Sequence, residues 1–479
     1  MKIKRGCGVL APISCLPSGF SCGGLGEATL RFIDKIAEGG FSYWQVLPLS
    51  VGDSFHSPYS SPSAFSGNPW FLDLTAFKEM GWLTEAEWQG AKEAVGYTCE
   101  FRRLEKERWS LLEKVAERAD ERGAVASFFD AHPYSEEFCR FMALSAANGG
   151  SPWRAWQNDR PEEKMYYTWG FTQMHFFEQW ERVKAYAEER GVRIIGDIPI
   201  YVAYESADVC FHSELFDLRE DKTPRAVAGV PPDYFSEDGQ HWGNPLYKWD
   251  TMREDGYTWW RDRIGHSLSL FDGVRLDHFR GFDTYYAIPA EAKSAREGAW
   301  LKGPGCPFID MLKESFPSAL FIAEDLGERM STVEALLSYS GFPGMKVFCF
   351  AFEGESGSGH LPHDYPENSV AYTGTHDNNT LLGYLYALAP EKRKEIFRYC
   401  RYGGENITEG CRAVIETLYA SHAGLLILPL QDLLFFGDDT RMNTPGKAGG
   451  NWGFRFGEEQ IASLDTGYFS ALAERYGRG

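Results

Sequence analysis

The 479-residue chain has few of the features that announce a cofactor, a metal or a membrane. No stretch approaches the roughly 18 apolar residues that a helix needs to cross a bilayer, which excludes a membrane-spanning class. The opening residues, MKIKRGCGVL, are basic but lack the long apolar run of an export signal. Cysteines are scattered (Cys7, Cys15, Cys22, Cys99, Cys139, Cys210, Cys306, Cys349, Cys400 and Cys411), with no CxxC pair and no zinc-ligand spacing. Several sit in apolar runs, such as Cys349 within VFCF, where a thiol behaves as a small hydrophobe. A reduced, cytoplasmic protein without a metal is expected. Dinucleotide binding is excluded too: Gly24-Leu25-Gly26 begins a GxGxxG, but Thr29 stands at its last position. There is no Walker A sequence, no HExxH and no GxSxG elbow, so no cofactor is expected. Positive charge is in short supply, with 48 Lys and Arg against 68 Asp and Glu, a net charge of −20. That balance repels nucleic acid and anionic membranes, and it suits a neutral substrate or serves solubility alone.

What is present is a large apolar fraction (43%), enough for a sizeable core, and 15% aromatic residues, including 15 Trp and 24 Tyr. Aromatic rings pack in cores, and they also stack on the apolar faces of sugars. Short β-rich runs recur at residues 43–49, 70–74, 192–198, 273–276, 319–323, 370–373 and 424–430, separated by helical stretches. This alternation predicts an α/β fold, an eight-stranded (β/α)8 TIM barrel, with a doubly wound sheet as the alternative that periodicity leaves open. Residues 1–479 read as one catalytic barrel. Residues 85–191 read as a helical insertion, with helices over 102–122, 128–148 and 168–190. Residues 205–260 read as a loop-rich aromatic insertion, and 354–360 as a short surface turn. No internal repeat or low-complexity tail is visible.

Four acids closely follow apolar runs: Asp197 after RIIG, Asp277 after GVRL, Glu324 after LFIA and Asp377 after YTGTH. A lone acid at such a place is usually a helix cap or turn residue. Four of them at the carboxyl ends of barrel strands would converge on one mouth, where barrel active sites lie. A retaining glycosidase needs an ionised nucleophile and a protonated acid on either side of the scissile bond. Arg275 lies two residues before Asp277 and so shares its face of the strand, which suits a nucleophile. Glu324 has no adjacent cation and an apolar lead-in, which suits a proton donor. A structural Arg–Asp pair and a capping Glu would read the same way.

The motifs around these acids carry a resemblance. GVRLDHFRG at 273–281, IAEDLG at 322–327 and TGTHDN at 373–378 join GDIPIYV at 196–202 and SPY at 57–59 with SAFSGNP at 63–69. GVPPDYFS at 229–236 continues to GQHWGNP at 239–245, and RMNTPG at 441–446 precedes GNW at 450–452. From about residue 12 to residue 456 the chain resembles the amylomaltases, or disproportionating enzymes, 4-α-glucanotransferases of the α-amylase superfamily. The resemblance implies a barrel without a separate carboxyl-terminal β domain. It implies Asp277 as nucleophile, Glu324 as acid/base and Asp377 as the residue gripping the distorted sugar. Arg275 and His376 would flank that sugar, Tyr59 would lie beneath it, Trp242 would carry the acceptor, and Asp197 would order the site. Ser57, Gln240 and Asn451, in the same blocks, are expected substrate contacts. Tyr234, Phe235 and Tyr247 are expected, with Trp242, to help cover the site. The implied partners are maltooligosaccharides, amylose and glucans from starch or glycogen. Asn379, where relatives often carry Asp, and the Cys22–Glu27 segment depart from the pattern without touching the three acids. A hydrolase of the same superfamily, or a non-catalytic glucan-binding protein, remains the alternative.

Overall fold

Eight short parallel strands close into a barrel in chain order: Gly6–Leu10, Tyr43–Gln45, Arg193–Ile198, Gly273–Leu276, Leu320–Ala323, Gly344–Val347, Ser369–Tyr372 and Leu425–Pro429. The computed structural model describes residues 3–93, 96–232, 238–327, 330–352, 359–447 and 449–479. Strand alternation sorts the side chains into two sets. Ile195, Ile322, Met345, Val347, Val370, Leu425 and Ile427 fill the barrel interior as one buried cluster. Val9, Ile194, Val274, Phe321 and Leu426 face outward into the larger cluster under the helices. Towards the carboxyl ends the interior turns polar. Asp197 stands opposite Arg275 in strand register, and Tyr372 Oη donates to Gln45 Oε1 at 2.8 Å.

Three sequence expectations need correction. Residues 70–74 are not a strand. Asn68 accepts the Trp70 N–H with Pro69 at the first position of a 3₁₀ turn, and Asp73 caps the helix Leu74–Glu79. The expected helix over 128–148 breaks at His132, because Pro133 supplies no N–H and disfavours helical φ/ψ before it; Arg122–Ala131 and Pro133–Ala147 are separate helices. The loop-rich segment 205–260 also contributes two strands, Ala226–Val230 and Gln240–Pro245. They join Thr284–Pro289 and Ala299–Lys302 in a four-stranded antiparallel sheet. The turn expected at 354–360 falls largely outside the described residues.

Between the second and third barrel strands lie several helices, of which Trp109–Ala119, Pro133–Ala147 and the 27-residue Glu163–Glu189 are the longest. After the last strand come the short helices Leu430–Leu433, Glu458–Ala462 and Thr466–Arg475, and among the described residues no sheet follows. Arg478 is fully buried beneath the barrel, donating to the carbonyls of Tyr419 (2.8 Å), Ser421 (3.0 Å) and Gly6 (3.1 Å). No helix of the described residues is long and apolar enough to cross a membrane, and among the described residues no two cysteines are joined in a disulfide.

Candidate active site

The polar end of the barrel brings the four strand-end acids together around one arginine. Arg275 Nη1 donates to Asp197 Oδ1 and Oδ2 at 2.8 and 2.9 Å and to Asp277 Oδ1 at 2.9 Å. Two residues apart on a strand, Arg275 and Asp277 share a face, and the pairing of neighbouring strands delivers Asp197 to the same guanidinium. Asp197 is completely buried, and burial raises its pKa against the pull of Arg275. It also accepts the Tyr59 hydroxyl at 2.7 Å, and burial holds that phenol well above its ordinary pKa, so it stays a neutral donor.

Glu324 sits against the turn that follows Asp277. Its backbone N–H donates to Leu276 O at 3.1 Å, and its carbonyl accepts from Phe279 N at 3.0 Å. Its carboxyl accepts from His278 N at 2.7 Å and Leu326 N at 3.0 Å. Burial pushes this carboxyl up to about 8, with Asp277 adding to the effect and Arg275 and the two amides opposing it. The adjacent Asp325 anchors the sixth strand through Met345 N at 2.7 Å. A Cβ at Gly344 would lie 2.7 Å from Asp325 Oδ2, so only glycine lets that strand begin here.

Asp377 lies on the loop after the seventh strand and is more open than Asp277, with 47% of its side chain exposed against 26%. Burial works to raise its pKa. His376, whose Nε2 is 3.4 Å away, and Asn443, whose Nδ2 donates to Oδ1 at 2.6 Å, outweigh it and hold the carboxyl well below the carboxylate range. Arg441 donates to the Asp377 carbonyl, and Asn443 N donates to His376 O at 3.1 Å. From the other side the buried Asp432 accepts from Thr373 Oγ1 at 2.6 Å and Leu381 N at 2.7 Å, tying both ends of this loop. Beside it the rings of Tyr59 and His376 stack at 4.9 Å, with Trp452 5.9 Å from each.

The sequence and the fold have known relatives. The sequence matches the 4-alpha-glucanotransferase family over residues 11–460. The chain belongs to that family. It is 39% identical to the 4-alpha-glucanotransferase of Thermus thermophilus and 38% identical to that of Synechocystis sp., covering 99% of this chain in both cases and 99% and 98% of the relatives. Its fold is similar to that of the amylomaltase from Streptococcus agalactiae in complex with acarbose, with a TM-score of 0.94 and 34% identity over 99% of this chain and 100% of that one.

The other expected contacts of this 4-alpha-glucanotransferase family member are spread more widely. Trp242, 37% exposed, stands on the antiparallel sheet with its ring edge-on to His278 at 5.1 Å and tilted against Tyr201 at 6.2 Å. Gln240 accepts from Trp242 Nε1 at 3.1 Å and so sets the indole's orientation. Ser57 lies two residues before Tyr59, where its Oγ accepts from Tyr59 N at 3.4 Å. Asn451 is engaged by its own loop, accepting from Thr444 N at 2.9 Å and donating to Lys447 O at 2.7 Å. Tyr234 and Phe235 lie outside the described residues. Tyr247 does not cover the site: it is buried beneath Tyr201 and among Trp249, Trp259 and Trp260, with its hydroxyl donating to Ile200 O at 2.9 Å. Asn379, the departure noted in the sequence, accepts only the local Thr380 N–H at 2.8 Å among its described contacts.

Sequence reasoning passed over Asn443, Trp452 and Asp432. The first two lay in quoted motifs, RMNTPG and GNW, but nothing in a linear string shows that their loop folds back onto His376 and Asp377. Asp432 follows the last strand, the same signal that singled out the other four acids. Among the described residues no group of three or more His, Cys, Asp or Glu side chains is placed to hold a metal ion.

Proposed function

We propose that this chain transfers α-1,4-linked glucan segments from a donor to the 4-hydroxyl of an acceptor glucan or glucose by a retaining double displacement. The donors and acceptors are maltooligosaccharides, amylose and glucans derived from starch or glycogen, bound by one catalytic barrel that carries residues 85–191 and 205–260 as insertions.

The observation that carries this reading is the division of labour among three carboxyls in one mouth. Glu324 is kept protonated by burial, Asp377 is kept ionised by His376 and Asn443, and Asp277 faces the Arg275 guanidinium. Glu324 protonates the bridging oxygen while Asp277 attacks the anomeric carbon, giving a covalent β-glycosyl–Asp277 through an oxocarbenium-like transition state. Asp377, His376 and Arg275 bind the distorted ring best at that point, with Tyr59 beneath it. Glu324, now a base, takes the proton of the incoming 4-hydroxyl as that oxygen displaces Asp277 from the anomeric carbon. Trp242 offers the acceptor an exposed indole face next to this centre.

A hydrolase would use the same acids and the same intermediate, so the products decide. Pure protein given maltotriose is expected to yield glucose together with oligomers longer than the substrate. Only shorter products would reject transfer, and no turnover would reject catalysis altogether.

A further inference from the structure

We infer that Asp432, with Gln431 beside it, is a positioning residue for the reaction: from behind the site it fixes the loop that carries His376 and Asp377. The inference rests on the role proposed above for Asp377.

The last barrel strand, Leu425–Pro429, runs straight into the short helix Leu430–Leu433, and all four residues of that helix are buried. Two of them are polar, Gln431 and Asp432, each 1% exposed. A buried carboxylate is costly unless donors satisfy it, and among the described residues Asp432 has no ion-pair partner. Two neutral donors hold it instead. Oδ2 accepts from Thr373 Oγ1 at 2.6 Å, and Oδ1 accepts from Leu381 N at 2.7 Å. Burial pushes this carboxyl up to about 6 against those donors, so it is mostly ionised at pH 7 and both bonds are charge-assisted.

What those two donors belong to gives the carboxylate its function. Thr373 directly follows the seventh strand, Ser369–Tyr372, and Leu381 opens the helix Leu381–Ala387. One carboxylate therefore closes the loop 373–381 at its neck, with His376 and Asp377 between. Within the loop Asn378 Oδ1 accepts from Thr375 N at 2.8 Å and from Thr375 Oγ1 at 2.9 Å, which braces the turn itself. Gln431 reaches the opposite wall: its Nε2 donates to Thr440 O at 3.2 Å, just ahead of Arg441 and Asn443, which hold the Asp377 carbonyl and carboxylate. Adjacent buried residues thus anchor both segments that meet at Asp377. Both are too buried to touch a sugar, so their effect on the reaction passes through the loop. Asp377 and His376 bind the distorted ring best at the transition state, where a misplacement of about 1 Å costs on the order of a hundredfold in rate. Loosening the anchor should therefore lower kcat and spare KM.

The test separates positioning from a merely structural role. It measures kcat and KM for fluoride release from α-maltotriosyl fluoride, a donor that needs no proton from Glu324, with maltose as acceptor. Wild type is compared with Asp432→Asn and Thr373→Val, and the Asp432→Asn change is repeated in an Asp377→Asn background. Rates are taken well below each variant's Tm, so that unfolding does not enter kcat. Asp432→Asn should lower kcat about tenfold and Thr373→Val about fivefold, the worth of a charge-assisted hydrogen bond, with KM within about twofold of wild type. Thr373→Val leaves the carboxylate in place and answers the same question should Asp432→Asn fail to fold. In the Asp377→Asn background the Asp432→Asn change should cost at most about twofold, because the group it positions has already lost its charge. An unchanged kcat, a KM that rises by the factor by which kcat/KM falls, or the same tenfold cost in both backgrounds overturns the inference. Asp377→Asn that releases fluoride at the wild-type rate overturns the role proposed for Asp377, and this inference with it.

Discussion

Replacing Glu324 with glutamine should abolish the alkaline limb of donor cleavage and most of the cleavage itself. With its pKa near 8, about nine in ten Glu324 carboxyls carry the proton at pH 7, against roughly one in three hundred at the ordinary value of 4.5. A raised carboxyl loses its proton as pH climbs through the raised value. In wild type, kcat/KM on maltotriose should therefore hold steady up to about pH 8 and then fall about tenfold per unit. Fluoride needs no protonation to leave, so release from α-maltotriosyl fluoride should lack this limb. The glutamine variant should lose a factor on the order of 10²–10⁴ on maltotriose, the usual worth of a general acid, while cleaving the fluoride far better than it cleaves maltotriose. The assay is a pH series of initial rates on both donors with both proteins. An alkaline limb of the same height on the fluoride, or ordinary maltotriose turnover by Glu324→Gln, would refute the reasoning.

Three further outcomes follow from other parts of the site. Asn443→Ala removes a charge-assisted hydrogen bond from a half-exposed carboxylate, so it should lower kcat/KM on maltotriose by about fivefold to tenfold; steady-state rates that match wild type would dismiss the Asn443–Asp377 bond as incidental. Trp242→Ala should raise the half-saturating acceptor concentration by about tenfold, as loss of a stacking face does, and unchanged acceptor saturation would count against the platform. His175 lies between Glu121 and Glu178, each at 2.8 Å; burial lowers its pKa, but the two carboxylates outweigh this and raise it. A raised histidine stabilises the fold fully below its unfolded pKa, and that contribution is lost as pH rises through the folded value. Melting curves should show a Tm difference between wild type and His175→Gln that shrinks by about one to two degrees from pH 6 to pH 9, and a constant difference would rule out the effect.

How far the sequence could be read depended on whether the deciding contacts were local. Asp277, Glu324 and Asp197 were legible because each ends an apolar run, and strand alternation placed Arg275 on the face of Asp277. The third strand was legible for the same reason: Ile194 and Ile195 are β-branched and point to opposite faces. The first and sixth strands escaped notice because their glycines weaken the β signal. Gly8 is needed because a Cβ there would lie 2.7 Å from the Cβ of Tyr43, and Gly344 because of Asp325, neither of which is near in sequence. Residues 70–74 read as a strand from their apolar content, whereas the caps Asn68 and Asp73 decide otherwise. Tyr247 read as a lid residue by composition, and only packing against Trp249, Trp259 and Trp260 makes it core. The antiparallel sheet pairs segments on either side of the fourth barrel strand, a long-range pairing that local periodicity does not encode.

The most direct test of the account concerns the covalent step at Asp277. In Glu324→Gln the base that should release the glycosyl group is missing, so incubation with α-maltotriosyl fluoride should accumulate the intermediate. Intact mass spectrometry is expected to show one maltotriosyl unit added per chain, and peptide mapping to place it on Asp277. A Glu324→Gln protein that releases fluoride yet carries no adduct, or carries it on another residue, would contradict the double displacement proposed for this site.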